Sequence, residues 1–308
     1  MNKKMLLSSG LLIATAMTVA GAAQSEIIAS NGPDGISADS KKVYFQSWVQ
    51  GADGKFSSQH FSVDTNGENI KREGRVGKNI GWPAFTKDGK RAVYHTRING
   101  NAELMLVDMV EANNLNEFST IKRLTFDKEA DFFAAWSPDE TKIAFYSWRT
   151  DVAQIFVMDA DSTNIRNLSN NTARESDPTW SVKDEITFES HVSGNADVWV
   201  MNGDGTGRRN LTNHPSEDSW GAWSPDGEQI VFSSDRDGDH DLYVMDRNGG
   251  NLRQITNKPG TDHWPRWSPD GTFISFSREI DDRAAVFIIK PDGTGEKQLT
   301  TKQSYHVK

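Results

Sequence analysis

A repeat of 43 to 51 residues constrains this chain more than any other feature. Its clearest copy runs from Trp223 to Thr256. It reads Trp-Ser-Pro-Asp-Gly, then Gln229-Ile-Val-Phe232, a turn rich in Asp and Ser, Asp241-Leu-Tyr-Val-Met245, and a closing Leu252-Arg-Gln-Ile-Thr256. Each copy begins with a large apolar anchor followed by a turn: Ile36, Phe85, Trp136, Trp180, Trp223 and Trp267, at spacings of 49, 51, 44, 43 and 44 residues. A fixed period of this size marks one supersecondary unit used many times over.

Four short runs recur in every unit. The anchor run ends at a Ser-Pro-Asp-Gly turn, where Pro and Gly preset the dihedrals and Asp bonds back to the following backbone. A second run follows, as in Lys142-Ile-Ala-Phe-Tyr146. The third run, such as Asp197-Val-Trp-Val-Met201 or Ala285-Val-Phe-Ile-Ile289, is β-branched and aromatic and suits a buried pleated surface. The fourth alternates polar and apolar residues, as in Arg209-Asn-Leu211, which suits an outer strand with one wet face. Six such units without a helical pattern predict an all-β fold, a six-bladed β-propeller of four-stranded antiparallel blades. A linear β-solenoid would need shorter coils and polar end caps. The first unit begins with its inner strand and the last ends with its outer one, so Glu26–Ser30 or Tyr305–Val307 is expected to add a closing strand.

Residues 1–23 read as a secretory signal peptide: Lys3 and Lys4 form a positive head, Met5 to Ala20 are mostly apolar, and Ala20-Gly-Ala22 offers small residues for cleavage. Residues 24–308 then form a single propeller domain, expected in the periplasm of a Gram-negative bacterium or secreted beyond it. No later segment is apolar enough to span a membrane. The chain carries 34 basic against 43 acidic side chains, net −9, and loses two lysines with the leader. Such a surface repels phosphate backbones, which makes nucleic acid an unsuitable partner. The absence of cysteine excludes disulfides, thiolate metal sites, a cysteine nucleophile and lipid attachment at cysteine.

Trp-Ser-Pro-Asp-Gly, Phe-x-Ser-x-Arg, Asp-Leu-Tyr-Val-Met and the closing Leu-Thr or Ile-Thr together resemble the Pro-Asp propeller repeat of TolB-type proteins, also called WD40-like. The resemblance covers residues 36–300 and is clearest in the last four units. It implies a scaffold that serves several functions. TolB carries an α/β domain in front of its propeller, whereas only about a dozen residues separate leader from first anchor here, so the envelope role of TolB is not implied. Similar repeats form the propeller of prolyl-oligopeptidase-type peptidases and the body of oligogalacturonate lyases. The sequence has no Gly-x-Ser-x-Gly elbow for the former, and for the latter its seven histidines are scattered singly.

Propellers usually act at a channel mouth, and the repeat offsets select candidates for the mouth where each inner strand begins. Three residues before the anchors lie Pro33, Trp82, Phe133, Asp177, Trp220 and Trp264; five before lie Asn31, Ile80, Asp131, Glu175, Asp218 and Asp262. The loop after the second strand adds Arg97, Trp148, Arg149 and His191. A ring of aromatic faces beside carboxylates and arginines suits a small-molecule or glycan pocket. The same aromatics would also serve to plug the channel, and the same acids to bond turn amides. His263, beside Asp262, and His191 are the histidines near this mouth that a general base would require. Asp218 and Asp262 are a carboxylate pair of the kind glycosidases use, although no motif selects them over Asp131 or Glu175.

Asp235-Arg-Asp-Gly-Asp-His-Asp241 alternates carboxylates like a calcium loop. Its glycine stands at the fourth place instead of the sixth and no Glu follows at the twelfth, so a hairpin is expected. No cofactor is expected; calcium on the axis is the one cation the carboxylate ring would suit. The sequence therefore points to a monomeric binding module for a protein segment or a saccharide. The alternative is a carbohydrate-active enzyme, a polysaccharide lyase or glycoside hydrolase, at the same mouth.

Overall fold

The Ser-Pro-Asp-Gly turns set the start of every blade. In the fifth copy Ser224 Oγ donates to Asp226 Oδ1 at 2.6 Å and accepts from the Gln229 amide at 2.9 Å, and the Gly227 amide closes on the Ser224 carbonyl at 2.9 Å. The last turn residue is left-handed in all six copies. Gly89, Gly227 and Gly271 take this conformation without a Cβ clash, while Ser40, Glu140 and Asp184 hold it at φ 58°, 57° and 60°.

The computed structural model describes residues 26–50, 56–73, 81–111, 113–115, 118–281 and 283–300. The expected leader lies outside them, as does Tyr305–Val307. Blade 1 comprises β1 (Glu26–Ile36), β2 (Lys42–Gln50), β3 (Phe56–Asp64) and β4 (Lys71–Glu73); blade 2, β5 (Gly81–Phe85), β6 (Arg91–Ile98), β7 (Asn101–Met109) and β8 (Phe118–Arg123). Blade 3 is β9 (Asp131–Trp136), β10 (Lys142–Ser147), β11 (Gln154–Asp159) and β12 (Arg166–Asn167); blade 4, β13 (Glu175–Trp180), β14 (Glu185–Ser190), β15 (Asp197–Asn202) and β16 (Arg209–Asn210). Blade 5 is β17 (Asp218–Trp223), β18 (Gln229–Ser234), β19 (Asp241–Asp246) and β20 (Arg253–Gln254); blade 6, β21 (Thr261–Trp267), β22 (Ile274–Ile280), β23 (Arg283–Ile289) and β24 (Lys297–Gln298). Each blade is one four-stranded antiparallel sheet in simple chain order, the six-bladed propeller that the repeat predicts. No helix of the described residues is long and apolar enough to cross a membrane.

The outer strands of blades 3 to 6 are two residues long, and the Leu-Thr signature ends them. In blade 5 the Ile255 amide bonds the Leu242 carbonyl at 2.8 Å, and the Thr256 hydroxyl accepts from the Leu242 amide at 2.8 Å while donating to Asp241 Oδ1 at 3.0 Å. A buried aspartate at the head of the third strand thus satisfies the polar groups where the outer strand peels away.

Apolar layers between blades form the core. Ala144, Ile155 and Val157 of blade 3 pack on Ile186, Phe188 and Met201 of blade 4, and the same layer recurs around the ring. Blade 1 meets blade 6 through Val43, Phe45, Phe61 and Val63 against Phe273, Val286 and Leu299. Glu26–Ser30 does not act as a closing strand for blade 6, which already has four strands of its own. It is the first half of β1, with Glu26 opposite Gln50 and Ser30 opposite Ser47. The seam is closed by side chains, aided by a 3.1 Å bond from the Asp270 amide to Ser40 Oγ.

Phe61 is 1% exposed and sits in that seam. Phe61→Ala is expected to lower stability by about 3–5 kcal/mol. Hydrogen exchange should rise first in β1 and β23, whereas uniform loss of protection across all blades would refute a seam closed by this cluster.

Candidate functional site

Every inner strand is interrupted, once in blades 2 to 6 and three times in β1. Pairing with the second strand shifts between Gly81 and Ala84, Ser176 and Thr179, Ser219 and Ala222, and His263 and Arg266. In five blades the residue inside this bulge is left-handed and not glycine: Trp82, Phe133, Asp177, Trp220 and Trp264, at φ between 51° and 57°. Bulky residues rarely adopt this region, so the surrounding fold has to impose it. In blade 1 the equivalent is Pro33, whose ring fixes φ near −65°. These six are the residues that the repeat offset selects three places before each anchor.

The bulge brings four of the aromatic rings together. Phe133 and Trp82 lie 4.7 Å apart between centroids, Trp82 and Trp264 5.7 Å, and Trp264 and Trp220 5.7 Å. With no aromatic ring at Pro33, blade 2 reaches blade 6 directly. His263 packs edge-on to Trp220 at 4.9 Å, and His95 stacks on Phe133 at 5.6 Å. Burial, with a smaller push from His60 and His240 respectively, lowers His95 to about 3 and His263 to about 4, so both rings are neutral at physiological pH. His95 fits because Gly81 has no side chain: a Cβ there would lie 2.3 Å from His95 Nε2.

A cavity of about 630 Å³, lined by residues from all six blades, fills the axis on the other side of this cluster. Trp82, Phe133 and Arg266 lie at its inner end, and the anchors Phe85, Trp136, Trp180, Trp223 and Trp267 form its walls. Pro138, Pro225 and Pro269 of the turns, with Val182, form its rim. It opens where the first and second strands connect, the end opposite the mouth expected from the sequence.

The carboxylates five places before the anchors point away from both spaces. Asp131, Glu175, Asp218 and Asp262 are each 0% exposed and paired with an arginine. Arg149 bonds both Asp131 oxygens at 2.9 Å, Arg236 bonds Asp218 at 2.8 Å, and Arg278 grips Asp262 with two bonds of 2.7 Å. Each guanidinium also stacks on rings of its own blade, as Arg236 does on Phe232 and Tyr243. Blade 4 has Val192 where blades 3 and 5 have Arg149 and Arg236, and Ser190 where blade 6 has Arg278, and Arg208 from the loop before β16 reaches Glu175 instead, over Phe188. The amides of Glu175, Asp218 and Asp262 bond the carbonyls of Ala153, Ala196 and His240 in the preceding blades, so these acids tie consecutive blades together. Burial raises Asp131 and Asp262 against the opposing pull of their arginines. Arg97, near the end of β6, and Trp148, in the loop after β10, are both exposed. Among the described residues no three His, Asp or Glu side chains are placed to share a cation.

Residues 183–307 match the family model of the TolB beta propeller domain. The fold superposes on TolB from Acinetobacter baumannii with a TM-score of 0.67 at 16% identity, over 88% of this chain and 77% of that one. It likewise superposes on putative TolB from Agrobacterium tumefaciens with a TM-score of 0.59 at 21% identity, over 80% and 87%. This chain has the TolB-type propeller fold. Oligogalacturonate lyase from Vibrio parahaemolyticus shares the same fold, with a TM-score of 0.59 at 14% identity over 88% and 78%. No curated protein matches the sequence.

Two charged groups of this TolB-type propeller lie at the axis without a strong partner. Asp177, deep in the channel yet still reached by solvent, is pushed up to about 6 by burial and by Glu189. Glu189 itself bonds His191 at 3.1 Å and has Arg174 at 4.0 Å. Arg266 is held below its ordinary value by burial, with Asp177 and Asp34 opposing. The sequence reading passed over Arg266, although a signal was present. The residue just before the anchor is Gly35, Ala84, Ala135, Thr179 and Ala222 in five units, and arginine only in the sixth.

Removing one partner of a buried ion pair leaves the other uncompensated. Arg278→Ala should therefore cost about 3–5 kcal/mol in denaturant unfolding, with partial recovery when Asp262→Asn is added; additive losses would speak against the pairing. For Asp177 the folded carboxyl near 6 lies above its unfolded value of 3.8, so the folded state holds the extra proton in between. Stability then falls as pH rises through that window, and the cost persists above it. Asp177→Asn cannot ionise, so its stability relative to the unaltered protein should rise by on the order of 2 kcal/mol from about pH 4 to about pH 6 and then level off. A difference independent of pH would contradict the raised value.

Proposed function

We propose that this chain is an exported binding module that takes a protein segment into the turn-side cavity of its propeller. The observation carrying this reading is the cavity itself: about 630 Å³ on the axis, lined by residues of all six blades, with aromatic anchors and prolines from five of them. That size and lining fall within the range of built ligand sites. A peptide suits it better than a saccharide, because the hydroxyls around it are already engaged. Ser137 and Ser224 donate to their turn aspartates at 2.6 Å, Thr86 donates to Asp88 at 2.7 Å, and Thr179 shares a 2.6 Å bond with Thr187. A sugar needs many directional polar partners, whereas apolar side chains of a peptide need only rings and prolines.

The alternative, a polysaccharide lyase or glycoside hydrolase, draws support from Asp177 beside Glu189, a carboxyl whose raised value suits proton transfer near neutral pH. Peptide and glycan arrays probed with the mature protein separate the two readings. Peptides are expected to bind and polysaccharides to remain uncleaved. Val182→Trp, at a rim position that is 49% exposed, should weaken peptide binding at least about tenfold by narrowing the opening, with no change in melting temperature. Undiminished binding by that variant would remove the cavity from the reading, and turnover of any polysaccharide would replace the reading by the enzymatic one.

A further inference from the structure

Arg266 differs from every other arginine near the axis. Arg149, Arg208, Arg236 and Arg278 are each locked to a buried carboxylate. The guanidinium of Arg266 instead lies 5.9 Å from the centroid of Trp82, and its hydrogen bond among the described residues is a 3.1 Å contact from Nη1 to the carbonyl of the adjacent Pro265. None of the described carboxylates stands within 4.0 Å of it. Two acids act on it from a distance: Asp177, itself pushed up by burial and by the repulsion of Glu189, and Asp34, which holds His60 at 2.9 Å. A guanidinium offers five donors in a planar fork matched to a carboxylate. Four of these are left over in a cavity walled mainly by rings and prolines, whose other charged lining residues are Asp34, Lys87 and Glu140.

The cavity is also obstructed inward: the linked rings of Phe133, Trp82, Trp264 and Trp220, from four of the six blades, stand in the channel behind Arg266 and hinder the passage of a segment that enters from the turn side. A chain end fits such a space better than the middle of a chain. The protein as a whole is acidic, net −9, and repels strongly acidic segments, whereas one carboxylate on an apolar tail carries little of that cost.

Resting on the peptide-binding reading above, we infer that Arg266 receives the C-terminal carboxylate of a protein segment that enters the cavity end-first. The rings and prolines of the wall then take the last few side chains, which are apolar. Specificity for a free chain end follows from the unsatisfied fork: an amidated end would leave its donors without an anionic partner.

The test uses octapeptide pools with the last four positions randomised among apolar residues, synthesised as free acids and as C-terminal amides. Binding to the unaltered mature protein is followed by tryptophan fluorescence. Free acids are expected to bind at least about tenfold more tightly than amides. Arg266→Met should abolish that gap, and Arg266→Lys should retain part of it, since an ammonium keeps the charge without the fork. The comparison of acid with amide on the unaltered protein holds even if a variant fails to fold. Equal binding of both pools, blocked by Val182→Trp, would overturn the carboxylate anchor and leave the peptide reading standing. Amidated peptides with Asp or Glu near the end that match the free acids would overturn the chain-end assignment. Absence of binding by either pool would overturn both readings.

Discussion

One left-handed residue in each of five inner strands governs the centre of this propeller. At that step the strand slips against its neighbour, and the side chain in the bulge turns toward the axis instead of continuing the pleat. Trp82, Phe133, Trp220 and Trp264 meet only because each occupies a conformation that an aromatic residue ordinarily avoids. Blade 1 cannot make the step, since Pro33 stands there. The gap it leaves is crossed by contact between Trp82 and Trp264, so the ring is functionally five plus one.

The architecture was legible because it is written six times. Ser224 and Asp226 show why the turn signature exists, and Thr256 with Asp241 shows why Leu-Thr or Ile-Thr ends four of the six units; both are local rules that sequence spacing exposes. The centre was legible only in part. Counting back from the anchors finds the bulge residues, but not which way the side chains point: Asp218 and Trp220 are two residues apart, yet one is buried against Arg236 and the other joins the aromatic cluster. An alternating strand would have put both on one face, and the bulge between them breaks that parity. For the same reason the walls of the cavity turned out to include the anchors themselves, which as repeated residues read as scaffold alone.

Charge follows a similar division. The carboxylates expected at the mouth are buried and each paired with an arginine, and the backbone amides of Glu175, Asp218 and Asp262 also bond carbonyls of the preceding blades. A buried pair of this kind contributes alignment more than net stability, since desolvation offsets most of the attraction. Blade 4 makes the point well: lacking the loop arginine, it recruits Arg208 from the other side of the same sheet to reach Glu175. Arg266 stands outside this scheme, and so a single departure from the repeat says more about the task of the molecule than its regularities do.

The seam between blades 1 and 6 has a mechanical meaning. At three other junctions an amide of one blade bonds a carbonyl of the previous one in addition to the covalent link, and among the described residues the first and last blades meet through packed side chains and the bonds of Asp270 to Ser40 and of Lys297 to Asn66. This is the one junction between blades that no connecting segment spans, so the closure of the ring depends wholly on that packing.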